Sequence, residues 1–589
     1  MTGFVGGAVT GRPLQQLADG MYHEPWYEHE FFEGGTHGIG FAHHGDRDPL
    51  GHTTWQGDGR MGIVYGGIPD HDRPAEVFDR LLDAPATLAD LDGSFAVVCL
   101  DTRGETDRVL VATDKLGTRP CYYVEDRALF GSSLSTLLPE LDDPIVDEQA
   151  VSDMLLLGNL WGDRTLVDEV KALPPATVLE YSEGEVRTER YWKPDFESAP
   201  RRGYIPELKT RYREAVDEAS STFGDTAGLW LSGGLDSRTL ADGLARNAGR
   251  TFDSLVAYTY DANPRGGGNP AIARRVAAQL GVEVEELVMT PDRFLDVFET
   301  SVDLTDGMLR WSSLLNLSTI FNLDGEPANV LLEASGQGEL IGQHPRRYNF
   351  VEHDSAVEGL VRSEQMVDTD TVQSLLAIDA DPLRTFKETV AESDETTQRG
   401  RMLDVHYTNY YSRMTLASNT VPRSQAGTRV PFVNKDFLEH TAALPQAYRM
   451  GTFPLTGGSI PYGMTRPKHE LARELDNGLD RIPYERTGLG PRRPFLAHLA
   501  GFVVKTGTAR LRSKVAYGGA HEPDIWYREH EGLRERIDDL LRGACDRPWF
   551  DADEIRRLRR EHLRGEANHM TTSLAAITTL ECWFQRHLD

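Results

Sequence analysis

The chain has 589 residues, too many for a single hydrophobic core, so we expect about two or three domains. Its formal net charge of -30, from 92 acidic and 62 basic residues, disfavours nucleic-acid binding, because phosphate contacts need a basic face. No apolar run is long enough to span a bilayer, and the N-terminus lacks the basic and apolar segments of a signal peptide, which predicts a cytoplasmic protein that does not bind membranes.

Lysine and cysteine are both scarce. Only nine of the 62 basic residues are lysine, and arginine supplies the rest. An acidic, lysine-poor surface is typical of halophilic proteins, with an ordinary acidic cytosolic protein as the alternative. The four cysteines lie far apart without metal-ligand spacing, and we expect them to be reduced core residues: Cys99, Cys121, Cys545 and Cys582.

Short apolar segments separated by turn residues characterise the first 200 residues. The strand-like segments are 38–42, 61–65, 94–100, 109–112 and 121–124. Residues 75–82 have helical spacing instead. The pattern predicts stacked, largely antiparallel sheets with a few helices.

A glycine-rich turn between a buried strand and a helix marks residues 228–237, which read Gly-Leu-Trp-Leu-Ser-Gly-Gly-Leu-Asp-Ser. Backbone N–H groups and the helix dipole converge on an anion at such a junction, and Ser232 and Ser237 add hydroxyl donors. Asp236 would repel a bare phosphate, so we expect it to hold Mg²⁺ against one. No Gly-Lys-Ser/Thr follows, which excludes a Walker loop.

This turn resembles the pyrophosphate loop of ATP pyrophosphatases, which cleave ATP to AMP and pyrophosphate. The resemblance implies ATP and Mg²⁺ as cofactors, and a chance serine–glycine turn is the alternative. The implied nucleotide-binding residues are Leu231, Ser232, Gly233, Gly234, Asp236 and Ser237.

Strands and helices alternate after this turn. The predicted elements are a helix at 239–247, a strand at 251–260, a helix at 269–281, a strand at 282–288 and a helix at 312–321. Such alternation predicts right-handed crossovers and a parallel sheet that binds its ligand at the carboxyl edge.

A second strand-to-loop junction follows at residues 330–342. The strand at 330–334 leads into Ser335-Gly-Gln-Gly-Glu339, which repeats the logic of the first loop. Ser335, Gly336 and Gln337 are therefore candidate nucleotide ligands, with a turn that merely caps a buried strand as the alternative. Further on, Lys468 begins a short helical segment and is a candidate catalytic residue, with an ordinary helix-surface lysine as the alternative.

The order of landmarks along the chain resembles the asparagine synthetase family. The landmarks are Met1-Thr-Gly-Phe-Val-Gly, Leu91-Asp-Gly-Ser-Phe-Ala, Asp114-Lys-Leu-Gly-Thr-Arg-Pro, Ser232-Gly-Gly-Leu-Asp-Ser and Arg429-Val-Pro-Phe. The resemblance implies an α/β fold of two domains. Residues 1–200 would form a glutaminase-like Ntn-hydrolase-type αββα sandwich, and residues 201–589 an ATP-pyrophosphatase domain (adenine nucleotide α-hydrolase-like) with a parallel sheet and a helical C-terminal part.

The resemblance also implies roles for individual residues. Val256 and Tyr258 correspond to the strand that holds adenine, and Lys468 to the lysine that faces the adenylate. The family's second metal-binding aspartate is missing beside Ser335, because two residues are deleted there. Glu339 is the best replacement, since another hard oxygen keeps the metal chemistry possible.

The first domain departs from the family at its glutaminase site. Thr2 stands where glutamine-using members have an N-terminal cysteine nucleophile, and Tyr65-Gly66-Gly67 replaces the glutamine-holding Asn-Gly-Glu. The loss of nucleophile and clamps together predicts an inactive domain. Three histidines are expected to be surface or packing residues, with metal binding as the alternative: His43, His44 and His52.

We therefore expect an ATP-dependent amide-forming ligase, whose partners are a small-molecule carboxylate and ammonia or another amine. A homodimer is one oligomeric state considered for this protein. One alternative is a catalytically degenerate nucleotide-binding scaffold or sensor. Another is a glutamine-hydrolysing asparagine synthetase that uses Thr2 as its N-terminal nucleophile.

Overall fold

A computed structural model describes residues 1–69, 73–198, 202–261, 268–342, 355–449, 464–513 and 521–589. The predicted domain boundary near residue 200 falls at 199–201, outside the described residues.

Two antiparallel six-stranded sheets form the first domain. Their strands are β1 (Gly3–Gly7), β2 (Glu28–Glu33), β3 (Gly38–His43), β4 (His52–Gly57), β5 (Arg60–Gly67), β6 (Ser94–Asp101), β7 (Arg108–Thr113), β8 (Tyr122–Val124), β9 (Leu129–Gly131), β10 (Val170–Ala172), β11 (Thr177–Ser182) and β12 (Glu185–Arg190). The strand orders are β10-β8-β9-β1-β3-β2 and β12-β11-β7-β6-β5-β4.

Helices cover the outer faces of this sandwich. They are α1 (Arg12–Asp19), α2 (Pro74–Asp83) and α3 (Leu134–Leu137), whereas α4 (Glu148–Leu157) contacts helices of the second domain. Phe4, Phe41 and Val98 belong to the core between the sheets, while Phe78 of α2 packs on the outer face of the second sheet. Central strands such as β6 are largely apolar and buried along their whole length, so both faces of the sheet are covered there, and the predicted αββα sandwich is confirmed.

A parallel five-stranded sheet forms the centre of the second domain. Its strands are β13 (Thr226–Trp230), β14 (Ser254–Asp261), β15 (Glu283–Val288), β16 (Val330–Leu332) and β17 (Gly427–Arg429), in the order β15-β14-β13-β16-β17. All four strand pairings are parallel, as the strand–helix alternation predicts. Because β13 and β16 are neighbours, the two glycine-rich loops that follow them meet at one edge.

Helices make up most of the remaining described chain. They are α5 (Tyr204–Ser220), α6 (Asp236–Asn247), α7 (Gly268–Leu280), α8 (Pro291–Asp303), α9 (Gln337–Leu340), α10 (Ala356–Glu364), α11 (Thr369–Leu375), α12 (Arg384–Glu392), α13 (Gln398–Val405), α14 (Thr420–Arg423), α15 (Lys435–Ala442), α16 (Gln446–Arg449), α17 (Arg466–Arg473), α18 (Phe495–Ser513), α19 (Glu522–Glu529), α20 (Glu531–Ala544), α21 (Ala552–Leu563) and α22 (Ser573–His587). A π-helix spans His406–Leu416. None of the helices in the described ranges has the length and apolar character needed to cross a membrane.

The helix predicted at 312–321 is wrong. Two 3₁₀ turns, Trp311–Ser313 and Leu317–Asn322, stand in its place. The Trp311 backbone N–H donates to the Thr579 hydroxyl at 3.0 Å, and its indole N–H donates to Thr578 at 2.9 Å. These bonds to α22 hold the segment in short turns, so tertiary contacts override its helical spacing.

A buried ion pair joins the two domains. Arg429, at the end of β17, binds both carboxylate oxygens of Asp48 at 2.9 and 3.0 Å, and both side chains are almost completely buried. Arg119 of the first domain donates to the Thr428 carbonyl at 2.7 Å. These contacts attach the sandwich to the strand next to the second glycine-rich loop.

Candidate active site

The loop after β13 presents its polar groups at the N-terminus of α6. The hydroxyl oxygens of Ser232 and Ser237 lie 2.9 Å apart, and the Ser232 backbone N–H donates to the Ser237 hydroxyl at 3.1 Å. The Gly233 N–H donates to the Asn269 side chain. Asp236 is the first residue of α6, so its carboxylate lies beside the unpaired N–H groups of that helix. Two hydroxyl groups and a carboxylate therefore lie together at the start of one helix, which is chemistry suited to an anion accompanied by a cation.

The loop after β16 lies against the π-helix. Gly336 has a φ of 93°, and a Cβ there would collide with the Tyr411 hydroxyl, so only glycine fits. Glu339 accepts a hydrogen bond from Thr415 at 3.0 Å. Gln337 points away from the loop surface, where it donates to the Tyr212 hydroxyl at 3.0 Å and the Asp236 carbonyl at 3.1 Å. Its amide therefore connects the two loops.

Both loops and α17 line one cavity of about 260 Å³. Among the described residues, its charged lining consists of Asp236, Glu333, Glu339 and Lys468. Lys468 is buried, and its ammonium contacts Asp236 Oδ2 at 2.6 Å. The structure therefore brings the candidate lysine of α17 to the candidate metal ligand of α6, 232 positions earlier.

Three carboxylates face one ammonium in this cavity, so the described charged lining has a formal charge of -2. A polyphosphate would be repelled by that excess unless a cation accompanied it. Carboxylate oxygens are the donors that Mg²⁺ prefers. One oxygen of Glu333, Oε2, is buried without a hydrogen-bond partner in the described chain, and burial raises the pKa of this carboxyl above its usual value. The residue types suit Mg²⁺, but these three described carboxylates do not bring their oxygens within 4.8 Å of one another, so at most two of them could share one ion as they stand.

Not all of the sequence-predicted residues reach the cavity surface. Val256 and Tyr258 lie within β14, whose backbone pairs with β13 on one side and β15 on the other. The Tyr258 carbonyl accepts from the Leu231 N–H at 2.7 Å, and its hydroxyl accepts from the Ala328 N–H at 3.1 Å. Leu231, Gly233 and Gly234 form the loop backbone but are absent from the described lining.

Three lining residues with aromatic or acidic side chains escaped the sequence reasoning: Trp230, Tyr260 and Glu333. The rings of Trp230 and Tyr260 lie 5.6 Å apart and form an apolar wall. Tyr260 follows Val256 and Tyr258 at alternate positions of β14, so the period of two along a strand could have revealed it. Glu333 is an acidic residue at the end of an otherwise apolar strand, and this break in the apolar pattern could have marked it as a site residue.

Tyr65 occupies the space beside Thr2 in the first domain. The two hydroxyl oxygens lie 2.8 Å apart, and the Tyr65 hydroxyl also donates to the Thr2 carbonyl at 3.1 Å. The Arg119 guanidinium lies 5.0 Å from the Tyr65 ring centroid on another side. Burial lowers the pKa of the Met1 amine well below its usual value. The phenol group of Tyr65 therefore contacts Thr2, the residue at the nucleophile position.

The three histidines are packing rather than surface residues, because His43 and His44 are buried and His52 is half-buried. The ring centroids of His43 and His52 lie 3.8 Å apart with the planes tilted by 32°, and their Nε2 atoms lie 3.4 and 3.9 Å from Glu30 Oε1. The Gly45 N–H donates to His43 Nδ1 at 3.1 Å, which leaves the ring proton on Nε2. Burial lowers the pKa of each of the three histidines to about 4, so all are neutral at pH 7.

Two family models match consecutive parts of the chain, in agreement with this two-domain organisation. Residues 80–192 match the glutamine amidotransferase domain model, and residues 207–460 match the asparagine synthase model. A solved structure, the U34-tRNA thiolase NcsA from Methanococcus maripaludis with its [4Fe-4S] cluster, matches at 12% identity over 45% of this chain and 87% of its own, with a TM-score of 0.17. None of the curated proteins matches the chain.

Proposed function

From a chain that has the asparagine synthetase-family architecture, we propose an ATP-dependent carbon–nitrogen ligase that forms AMP. A carboxylate attacks the α-phosphorus of ATP, pyrophosphate leaves, and ammonia or another amine attacks the acyl-adenylate to give an amide. The match to the asparagine synthase model supports the amide-forming class of reaction.

The observation that carries the proposal is the convergence of both loops and Lys468 on one cavity. Ser232, Ser237 and the N-terminus of α6 are suited to bind the phosphates that become pyrophosphate. Lys468 contacts Asp236 at the start of α6, where its ammonium can stabilise negative charge that develops as pyrophosphate leaves. Asp236 and Glu339 are candidates to hold Mg²⁺, which when bound would neutralise phosphate charge.

The nitrogen donor is proposed to be free ammonia or an amine, rather than glutamine. Tyr65 bonds to both the hydroxyl and the carbonyl of Thr2, so a glutamine amide would have to displace it. The first domain then supports the second through contacts such as the Arg429–Asp48 pair. This assignment leaves the acceptor acid open to experiment.

The test is pyrophosphate release by the full chain. Purified protein is incubated with ATP, Mg²⁺, ammonium chloride and each acid of a panel of amino acids and dicarboxylic acids. We expect pyrophosphate and AMP in equal amounts with at least one acid, and Asp236→Asn to abolish both. ATP binding without pyrophosphate from any acid would favour the nucleotide-binding scaffold instead. Glutamate release from glutamine that Thr2→Ala abolishes would restore the glutamine-hydrolysing alternative.

A further inference from the structure

One side of α18 presents apolar side chains to solvent. Leu496, Val503 and Val504 are 71%, 55% and 65% exposed, and Ala500 is exposed between them. Positions 496, 500, 503 and 504 have the spacing of one helix face, so these four residues form a continuous stripe, which we call the α18 face. The face carries no charged side chain.

The α18 face is the main concentration of exposed apolar side chains in the described chain. Eight large apolar side chains are exposed among the described residues, and α18 is the one element that carries three of them. The opposite side of α18 is packed, because Leu499 shares a core cluster with Tyr484 and with Leu235 of the first glycine-rich loop. A contiguous apolar stripe on an otherwise packed helix is typical of an interaction surface.

The charge around the α18 face is opposite to that of the whole chain. Residues 486–521 contain seven basic residues and no acidic residue, whereas the chain has a net charge of -30. Arg492 and Arg493 precede α18, are exposed and form no ion pair within the described part of the chain. The complementary surface is therefore an apolar stripe bordered by carboxylates.

We propose that the α18 face binds an acidic amphipathic helix of a partner protein. The apolar side chains of that helix would cover Leu496, Val503 and Val504, and its carboxylates would pair with Arg492 and Arg493. This inference goes beyond the proposed function, because the contact involves neither ATP nor the acceptor acid. The partner would dock on the outer side of the helix that packs against the first loop.

Other occupants match these observations less well. Two α18 faces in a homodimer would bring two basic regions together, and like charges at an interface oppose association. An anionic bilayer is a wide, flat surface that would also approach the acidic surface of the rest of the chain. A nucleic-acid backbone supplies phosphates but does not cover an apolar stripe.

The experiment measures binding of the full chain, without ATP, to a fluorescent synthetic peptide by fluorescence anisotropy. The acidic peptide is a helix with leucines at i, i+3, i+4 and i+7 spacing and glutamates beside them, and a basic peptide has lysines instead of the glutamates. Two double variants are compared, Leu496→Ser with Val504→Ser and Arg492→Glu with Arg493→Glu. Ile145→Ser is the matched control, because Ile145 is 63% exposed in the first domain. Melting temperatures verify that the variants fold.

The wild type and Ile145→Ser should bind the acidic peptide equally. The serine variant should bind it at least about tenfold more weakly, because two apolar anchors are lost. The glutamate variant should prefer the basic peptide, a reversal that a purely structural role of the arginines would not produce. Failure of the acidic peptide to bind, or equal binding to the serine variant, would overturn the proposal.

Two further measurements test the other occupants. Sedimentation velocity detects a dimer, and flotation with phosphatidylglycerol vesicles detects membrane binding. A dimer that the serine variant dissociates would assign the α18 face to a second copy of the chain and overturn the proposal. Vesicle binding that only the serine variant loses would overturn it in favour of a membrane surface. None of these outcomes depends on ATP, so they leave the proposed ligase activity to its own test.

Discussion

Replacing Lys468 by methionine is expected to abolish most pyrophosphate release while the chain stays folded. The side chain is buried, and its ammonium contacts Asp236 Oδ2 at 2.6 Å on the wall of the cavity. Methionine keeps the length and apolar stem but removes the charge. Lys468 would then no longer stabilise the charge that develops on the departing pyrophosphate.

The magnitude follows from the position of the pair. Loss of one electrostatic donor to a transition state costs about 10²- to 10³-fold in rate, or about 3–4 kcal/mol. The effect on folding should be smaller, because Asp236 is 32% exposed and water can solvate its carboxylate. We expect a loss of about 1 kcal/mol rather than the roughly 3–5 kcal/mol of a fully buried pair.

The assay compares initial rates of pyrophosphate release and urea unfolding curves. Lys505→Met is the matched control, because that exposed lysine donates to the Glu485 carbonyl outside the cavity. Its rate should equal that of the wild type. A Lys468→Met rate within about threefold of wild type would refute the catalytic role, since less than about 1 kcal/mol of barrier would depend on the charge.

Other consequences concern both domains. Burial lowers the pKa of His44 to about 4 in the folded chain, against about 6.5 in the unfolded chain, so its contribution to stability is complete above about pH 6.5 and is lost as the pH falls towards 4. His44→Gln should therefore lessen the difference in unfolding free energy between pH 7 and pH 4 by up to about 3 kcal/mol. An unchanged difference would contradict the assignment. Asp48→Asn leaves Arg429 buried without its counter-charge, so it should lower the unfolding free energy measured by urea denaturation by about 3–5 kcal/mol. A loss below about 1 kcal/mol would show that the pair does not hold the domains together. Thr2→Ala should leave ammonia-dependent amide formation unchanged when the product is measured by mass spectrometry, and a large loss would reveal a role for the first domain in the chemistry.

Local sequence patterns revealed the loops because their chemistry depends on a short stretch of chain. The strand, the glycines and the helix start of residues 228–237 are consecutive, so this strand–loop–helix junction could be predicted from that stretch alone, and its binding of an anion stays a prediction. Short apolar runs between turn residues similarly revealed several strands of the sandwich. The family resemblance supplied the order of the domains, which the two model matches confirm.

Residues that meet across the fold were harder to predict. Asp48 and Arg429 lie 381 positions apart, and nothing in either neighbourhood indicates the other. Gln337 occupies a loop position that suggested a nucleotide ligand, but its amide bonds to Tyr212 and the Asp236 carbonyl. Glu333 appeared to be the end of a buried strand, and only the geometry of the cavity shows its unpaired oxygen.

The most direct test of acyl adenylation is the fate of carboxylate oxygen. An acid that supports pyrophosphate release is labelled with ¹⁸O in its carboxyl group and converted to the amide with ATP and ammonia. The proposed chemistry forms a bond between a carboxylate oxygen and the α-phosphorus and later breaks the bond between carbon and that oxygen. One ¹⁸O atom should therefore appear in each AMP. Unlabelled AMP, or label in inorganic phosphate together with ADP, would contradict it.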